Sequence, residues 1–235
     1  MAHQQKFNGI LLVDKPIGLT SHDVVDKLRK KLSMKRIGHA GTLDPIASGL
    51  LVILLGMATK ISQLITNCDK TYVGEMCLGL TTDTHDAQGT TIATKIVPDL
   101  SSRDVENVIY SFLGEQHQIP PMFSAKKLNG VPLYKLARKG QDVERAPRLV
   151  HIDEFILENF ASPLAEFKLS CSKGTYVRTV VNDVGQVLGC GAHMTKLTRT
   201  RVGTMDLEKA TKLDHILAME LDEIDKLVLR VTDVI

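Results

Sequence analysis

The chain has 235 residues, of which 43% are hydrophobic and 24% charged, and its formal net charge is +2. It is long enough to bury a substantial core in one large or two small domains, and its balance is that of an ordinary globular protein. No run of roughly 18 apolar residues occurs, and the N-terminus lacks the basic-then-apolar order of a secretion signal, which excludes a spanning helix and predicts a soluble, cytoplasmic protein. Cys68, Cys77, Cys171 and Cys190 form no CxxC pair, which argues against a structural zinc site and a disulfide framework.

In chain order, the apolar run Ile10 to Val13 ends in Lys15-Pro16-Ile17-Gly18 and predicts a strand leaving through a turn. Ser21 is the expected N-cap of a helix with Asp23 in its first turn and Val24, Val25, Leu28 and Leu32 on one face. A glycine loop carrying Gly38, Gly41 and Gly49 leads into Leu50 to Leu55, a run expected of a strand covered on both faces. A helix from Ala58 to Ile65 follows, then a strand around Thr71 to Leu80 with Tyr72, Gly74, Met76 and Leu78 on one face. Ser101 or Ser102 caps a helix with Val105, Val108, Ile109, Phe112 and Leu113, stopped by Gly114. Residues 120–148 differ in kind: two consecutive prolines, few large apolar residues and a short helix at Leu133 to Lys139 predict an inserted basic hairpin or arm. Leu149 to Leu157 and Ala165 to Cys171 resemble paired strands, Val177 to Leu188 a helix, and His193 to Thr198 a last strand. The expectation is one mixed α/β domain over residues 1–235 with the arm at 120–148 inserted in it.

The charge is segregated. Lys27 to Arg36 holds six basic side chains and no acid, Lys126 to Arg148 holds seven against Asp142 and Glu144, and Met205 to Ile235 reverses to eight acids against four bases. Such a distribution suits a surface that meets a polyanion on one side.

The most unusual segment is Arg36-Ile37-Gly38-His39-Ala40-Gly41-Thr42-Leu43-Asp44-Pro45-Ile46-Ala47-Ser48-Gly49. Pro45 pushes Asp44 out of the helical region, and the glycines allow close approach of a backbone or ligand. Flanked by Leu43 and Ile46, the Asp44 carboxylate meets apolar surroundings, where it protonates unless a cation restores its charge; ionised there, it is a strong nucleophile. A plain Asp-Pro turn is the structural alternative.

This segment resembles the GHxGxLDPxAxGxL motif of the bacterial TruB family of tRNA pseudouridine synthases. Lys15 to Ser21, Gly56 to Lys60, Lys70-Thr71-Tyr72, Thr82 to Gly89, Gln118 to Pro121, Ser124 to Lys127 and Ser172 to Arg178 are similar to family segments in the same order. The resemblance implies a pseudouridine synthase fold, a central mixed, mostly antiparallel sheet flanked by helices with no separate C-terminal RNA-binding domain, and a cofactor-free, metal-free isomerisation at uridine 55 in the tRNA T loop by a monomer without an obligatory protein partner. It implies that Asp44 is the catalytic aspartate, that Tyr72 packs on the target uracil, and that Arg178 is the cation paired with Asp44. His39 is implied to lie against the flipped nucleotide and Leu197 to wall the pocket, with RNA contacts at Lys15, Gly41, Thr42, Lys60, Asp83, Asp86, Lys126, Lys127, Tyr134 and Arg138. The residue chemistry agrees, since a stacked base must be extruded and then held by stacking and edge hydrogen bonds.

Two other readings compete. The basic arm alone suits a tRNA-folding chaperone that needs no catalysis, and Asp83, His85 and Asp86 suggest a metal-dependent hydrolase. Cys171 with His193 offers a thiol and a base but no orienting partner.

Overall fold

The apolar alternation of the sequence becomes strands β1 (Gly9–Lys15), β2 (Ile37–Ala40), β3 (Ala47–Leu55), β4 (Lys70–Leu78), β5 (Leu80–Thr82), β6 (Thr91–Thr94) and β7 (Gly114–Gln118). They are followed by β8 (Lys127–Leu128), β9 (Val131–Pro132), β10 (Arg148–Ala161), β11 (Leu164–Cys171), β12 (Ala192–Val202), β13 (Met205–Asp206) and β14 (Thr211–Lys212). The helices are α1 (Ser21–Leu32), α2 (Ser62–Asn67), α3 (Ser102–Tyr110), α4 (Leu133–Ala137), α5 (Val177–Val187), α6 (Leu213–Ala218) and α7 (Leu221–Leu227), with a 3-10 turn over Gly56–Ile61. The structure, a computed structural model, describes residues 7–124, 126–128 and 130–233; of residues 127 and 128 it describes the backbone alone. The mixed α/β class with a mostly antiparallel sheet and flanking helices is as expected from the sequence.

The chain divides into two compact units, one of Met1–Tyr72 with Leu197–Ile235 and the other of Val73–Lys196. In the first, β1 lies antiparallel to β3 from Gly9↔Leu55 to Lys15↔Gly49, and parallel to β14 on its other edge. The far edge of β3 is shared: its start pairs in parallel with β12 (Leu197↔Ala47 to Arg199↔Gly49), and its end pairs antiparallel with β2 (Ala40↔Val52 to Ile37↔Leu55). Strand pairing thus forks at Leu50 and Leu51. Covered on both faces, Leu50 to Leu55 are all 0% exposed, as the continuous apolar run predicts. Ile10, Leu12, Ala40, Leu50, Val52, Leu54, Ile65 and Val202 form one core cluster.

Three local expectations change here. The N-cap of α1 is Thr20, which exchanges hydrogen bonds with Asp23 in a capping box, while the neighbouring Ser21 is buried and used elsewhere. The glycine loop contains a real strand, β2, because its backbone completes the edge of β3. The predicted last strand is longer, and the acidic tail after it folds: α6 packs on β1 and α1, and Ile10 and Leu229 exchange backbone hydrogen bonds of 2.9 and 2.8 Å. Leu213, Ile216 and Ile224 carry that packing at 0–1% exposure, so the acids occupy the outer face.

In the second unit β4 from Val73 on, β11, β10 and β7 are neighbours in that order, with β10 antiparallel to both β11 and β7. Ser101 is the N-cap of α3, whose Val105 and Ile109 are buried; the helix packs against β10 and α5. The predicted arm leaves from the end of β7 and returns at the start of β10; it contains the β8–β9 hairpin and α4.

Candidate active site

In the first unit Asp44 is half-buried and sits on a turn whose backbone is tied at Leu43, Asp44 and Pro45. Asp44 O accepts from Ala47 N at 3.0 Å, and Pro45 O accepts from Gly18 N at 2.8 Å, which joins the Asp-Pro turn to the Lys-Pro-Ile-Gly turn. The Ser21 hydroxyl accepts from Leu43 N at 2.8 Å and donates to Leu43 O at 3.2 Å. A buried hydroxyl doubly bonded to the residue before the aspartate fixes the direction from which the carboxylate leaves the chain.

Arg199 holds the other side of the loop. Its side chain is 1% exposed, and it donates from Nε to Leu50 O at 2.8 Å, from Nη2 to Gly41 O at 3.0 Å and from Nη1 to Thr42 O at 3.4 Å. These are carbonyls at the fork, where no strand continues to satisfy them, so one guanidinium replaces the missing backbone donors. Gly49 permits the arrangement: its φ is +95°, and a Cβ there would lie 2.4 Å from Arg199 O.

Lys15, at the end of β1, is 0% exposed and donates to Pro16 O at 2.8 Å and Leu19 O at 2.7 Å. Burial pushes its pKa down to about 8; the charge of Asp44 opposes that shift and Arg199 adds to it. Lys15 is therefore within the electrostatic reach of Asp44. It is a buried strut between the end of β1 and the turn that follows. His39, in β2, is also held neutral-leaning, first by burial and then by Arg199 and His22, and its buried Nδ1 has no hydrogen-bond partner among the described residues. Tyr72 is buried in β4, at 8% exposure. Leu197, equally buried, pairs with Ala47 just past the Asp-Pro turn. Gly41 is half-buried, whereas Thr42 and Lys60 are exposed. Lys70 is buried at the start of β4, and its ammonium donates to Thr66 O at 2.6 Å and to Cys68 O.

In the second unit Arg178 lies in the first turn of α5 at 5% exposure. Nη1 pairs with Asp86 Oδ2 at 3.2 Å, and Nη2 donates to Phe123 O. Asp86 is 2% exposed. Its Oδ1 accepts from Thr84 Oγ1 at 2.6 Å and Gln88 N at 3.0 Å, so this carboxylate organises its own loop and Arg178 and does not face outward. His85 beside it has φ +64°, and burial first, then Arg178, brings its pKa down to about 4. Asp83 is exposed and accepts from Thr90 N at 2.8 Å. Among the described residues no group of three or more His, Cys, Asp or Glu side chains gathers as metal donors. His193 Nδ1 is spent on Leu80 O at 3.1 Å.

On the arm, Lys126 and Arg138 are exposed, and the Arg138 guanidinium lies 5.5 Å over the ring of half-buried Tyr134. The side chain of Lys127 lies outside the described residues. Reading the sequence missed Arg199, Lys70 and the Ser21 clamp. One signal was present for Arg199: it stands two residues after Leu197 in a strand, in the inward phase of the alternation.

The fold is shared with chains of two solved complexes. A chain of the "Cbf5-Nop10-Gar1 Complex" superposes with a TM-score of 0.75 at 27% identity, over 96% of this chain and 61% of that one. A chain of the "H/ACA RNP bound to a substrate RNA containing 2'-deoxyuridine" gives 0.70 at 26% identity, over 96% and 59%. This chain thus spans about three fifths of those solved chains. Fold and sequence together define a pseudouridylate synthase, an isomerase. Residues 29–177 match the model of the TruB family pseudouridylate synthase N-terminal domain, and residues 178–232 that of the tRNA pseudouridylate synthase B C-terminal domain; the chain belongs to the TruB family. The tRNA pseudouridine synthase B of Opitutus terrae is 52% identical over 95% of this chain and 92% of its own length. That of Syntrophotalea carbinolica is 45% identical over 96% and 74%.

Proposed function

We propose that the protein converts uridine to pseudouridine at position 55, in the T loop of tRNA, acting in the cytoplasm as a monomer without cofactor, metal or obligatory protein partner. The observation that carries this reading is the Asp44 turn: a half-buried carboxylate with its backbone locked by Ser21, Gly18 and Arg199 and buried Lys15 in its field. A turn that served only to reverse the chain would not need three separate anchors on its shape.

In this reading the uridine is extruded from the T loop and its base stacks on Tyr72, an interaction worth about 1–3 kcal/mol. Asp44 assists cleavage of the N1–C1′ bond, the uracil turns, and a C5–C1′ bond forms. The C5 proton leaves and N1 gains one, so atoms balance and nothing is consumed. Arg178 is the cation that works with the Asp44 charge, and Asp86 aims it. His39 and Leu197 line the nucleotide's place. Exposed Lys60, Lys126 and Arg138, with Lys127, Tyr134, Thr42 and Gly41, contact the RNA backbone, which positions without reading sequence. Lys15 acts through Asp44, and Asp83 through the loop it closes.

The test is tritium release from tRNA labelled at uridine C5. Wild-type protein releases label from the T loop only, and Asp44→Asn stops release by at least about 10³-fold while RNA affinity stays within a factor of about three. Release by Asp44→Asn at the wild-type rate refutes the catalytic assignment and leaves a tRNA-folding chaperone in its place.

A further inference from the structure

The arm leaves and re-enters the second unit at a single rung. Gln118, the last residue of β7, is the cross-strand partner of Arg148, the first residue of β10. Partners on one rung project their side chains to the same face, and here both reach Tyr176. Gln118 is 4% exposed, and both ends of its amide bond the Tyr176 backbone: Oε1 accepts from Tyr176 N at 2.8 Å, and Nε2 donates to Tyr176 O at 3.1 Å. Arg148 lays its guanidinium over the Tyr176 ring at 5.1 Å from the centroid. It fits there because residue 174 is glycine with φ +81°; a Cβ would stand 2.2 Å from Arg148 Nη2.

Tyr176 is the N-cap residue of α5 and makes no side-chain capping bond, so its place is set from outside the helix, by the arm's root. Arg178 comes two residues later. Its guanidinium lies 5.9 Å from the same ring and donates to the carbonyl of Phe123, inside the arm. Arm root, Tyr176 and Arg178 are therefore joined by three ties: an amide clamp, a stacked cation and a carbonyl acceptor.

We propose that Gln118 and Arg148 are positioning residues that couple the arm to Arg178 through Tyr176, so that seating the arm on RNA and aligning the Arg178 guanidinium are one event. The inference rests on the reading that Arg178 serves the isomerisation. Neither residue touches the uridine in this scheme. Their loss slows the bound complex instead of weakening binding.

The experiment measures single-turnover tritium release at saturating T-arm RNA, together with the RNA Kd by filter binding, for full-length wild-type, Gln118→Ala, Gln118→Glu, Arg148→Lys and Arg178→Lys proteins and the Gln118→Ala/Arg178→Lys double variant. Gln118→Ala is expected to slow release about 10-fold with Kd changed less than about 2-fold. In the Arg178→Lys background the same substitution costs less than about 2-fold, because the group it positions is already gone. Gln118→Glu keeps the acceptor for Tyr176 N–H and loses the donor; it gives an intermediate rate and keeps the test available should Gln118→Ala not fold. Arg148→Lys retains the charge and loses the planar stack, and slows release with an unchanged salt dependence of Kd. Equal losses from Gln118→Ala in both backgrounds, or a loss confined to Kd, overturn the coupling while leaving the proposed function standing. A fully active Arg178→Lys overturns the role of Arg178 itself, and the coupling with it.

Discussion

The Asp44 turn and the start of α5 both depend on buried cations, and the two regions use them differently. Around the turn, Lys15, Lys70 and Arg199 all donate to main-chain carbonyls. Each of these bonds ties a side chain to a stretch of backbone, so what the contacts hold is main chain. At Arg178 one partner is a side-chain carboxylate, Asp86, at 3.2 Å and more deeply buried still. That pairing fixes the direction of the guanidinium and removes much of its charge. One region holds the shape of a loop and the other holds the aim of a side chain. Substitutions in the two should therefore fail in different ways.

The largest difference is expected at the ion pair. Asp86→Asn removes from the 5%-exposed Arg178 side chain the carboxylate 3.2 Å away, and removing one partner of a buried pair costs about 3 kcal/mol or more of folding stability. Urea unfolding followed by circular dichroism measures it, and a loss below about 1 kcal/mol would mean that the other bonds to Arg178 suffice to hold it. Arg199→Met comes next. It strips Leu50 O, Gly41 O and Thr42 O of their donor, which at the usual cost of an unsatisfied buried group destabilises by about 2 kcal/mol. The charge-retaining Arg199→Lys recovers part of that, since an ammonium reaches some but not all of three diverging carbonyls. Because the loop's shape is what is lost, tritium release falls in both variants even at temperatures where they stay folded. If release stays at the wild-type rate in folded Arg199→Met, the strut is not what shapes the Asp44 turn.

The same contrast explains what could be read from the sequence. The loop announced itself because its demands are local: Asp44-Pro45, glycines at 41 and 49 with φ of +80° and +95°, and an apolar run that continues directly into β3. Partners across the chain left no such mark. Asp86 and Arg178 are 92 positions apart, Arg199 and Leu50 are 149 apart, and Gln118 and Tyr176 are 58 apart. Thr20 and Ser21 show the limit within a single turn. Both are good caps by residue type, and only the bond from Ser21 to Leu43, 22 positions away, decides which hydroxyl caps and which clamps. Strand β2 was hidden because its four residues include a glycine and owe their extension to pairing with β3. The tail's helices were hidden because they are short, 6 residues in α6 and 7 in α7, too few turns for a helical period to stand out.

The smallest effect sharpens the comparison from the side of protons. His85 lies in the loop that carries Asp86, in a left-handed conformation at φ +64°, and its folded pKa is about 4 against an ordinary value of 6.5. Burial and the neighbouring Arg178 both disfavour a second positive charge there. Between those two pH values the unfolded chain binds a proton that the folded chain refuses, so stability from this residue falls as pH drops from about 6.5 toward 4, by up to about 1.4 kcal/mol per pH unit. Asparagine tolerates the left-handed backbone and does not titrate. His85→Asn should therefore match the wild type closely at pH 7 and retain about 1–2 kcal/mol more of its stability at pH 5, measured by urea unfolding at the two pH values. Parallel losses in the two proteins would show that Arg178 does not hold this histidine neutral. The positive field at the start of α5 would then be as fully cancelled by Asp86 as the short ion pair suggests.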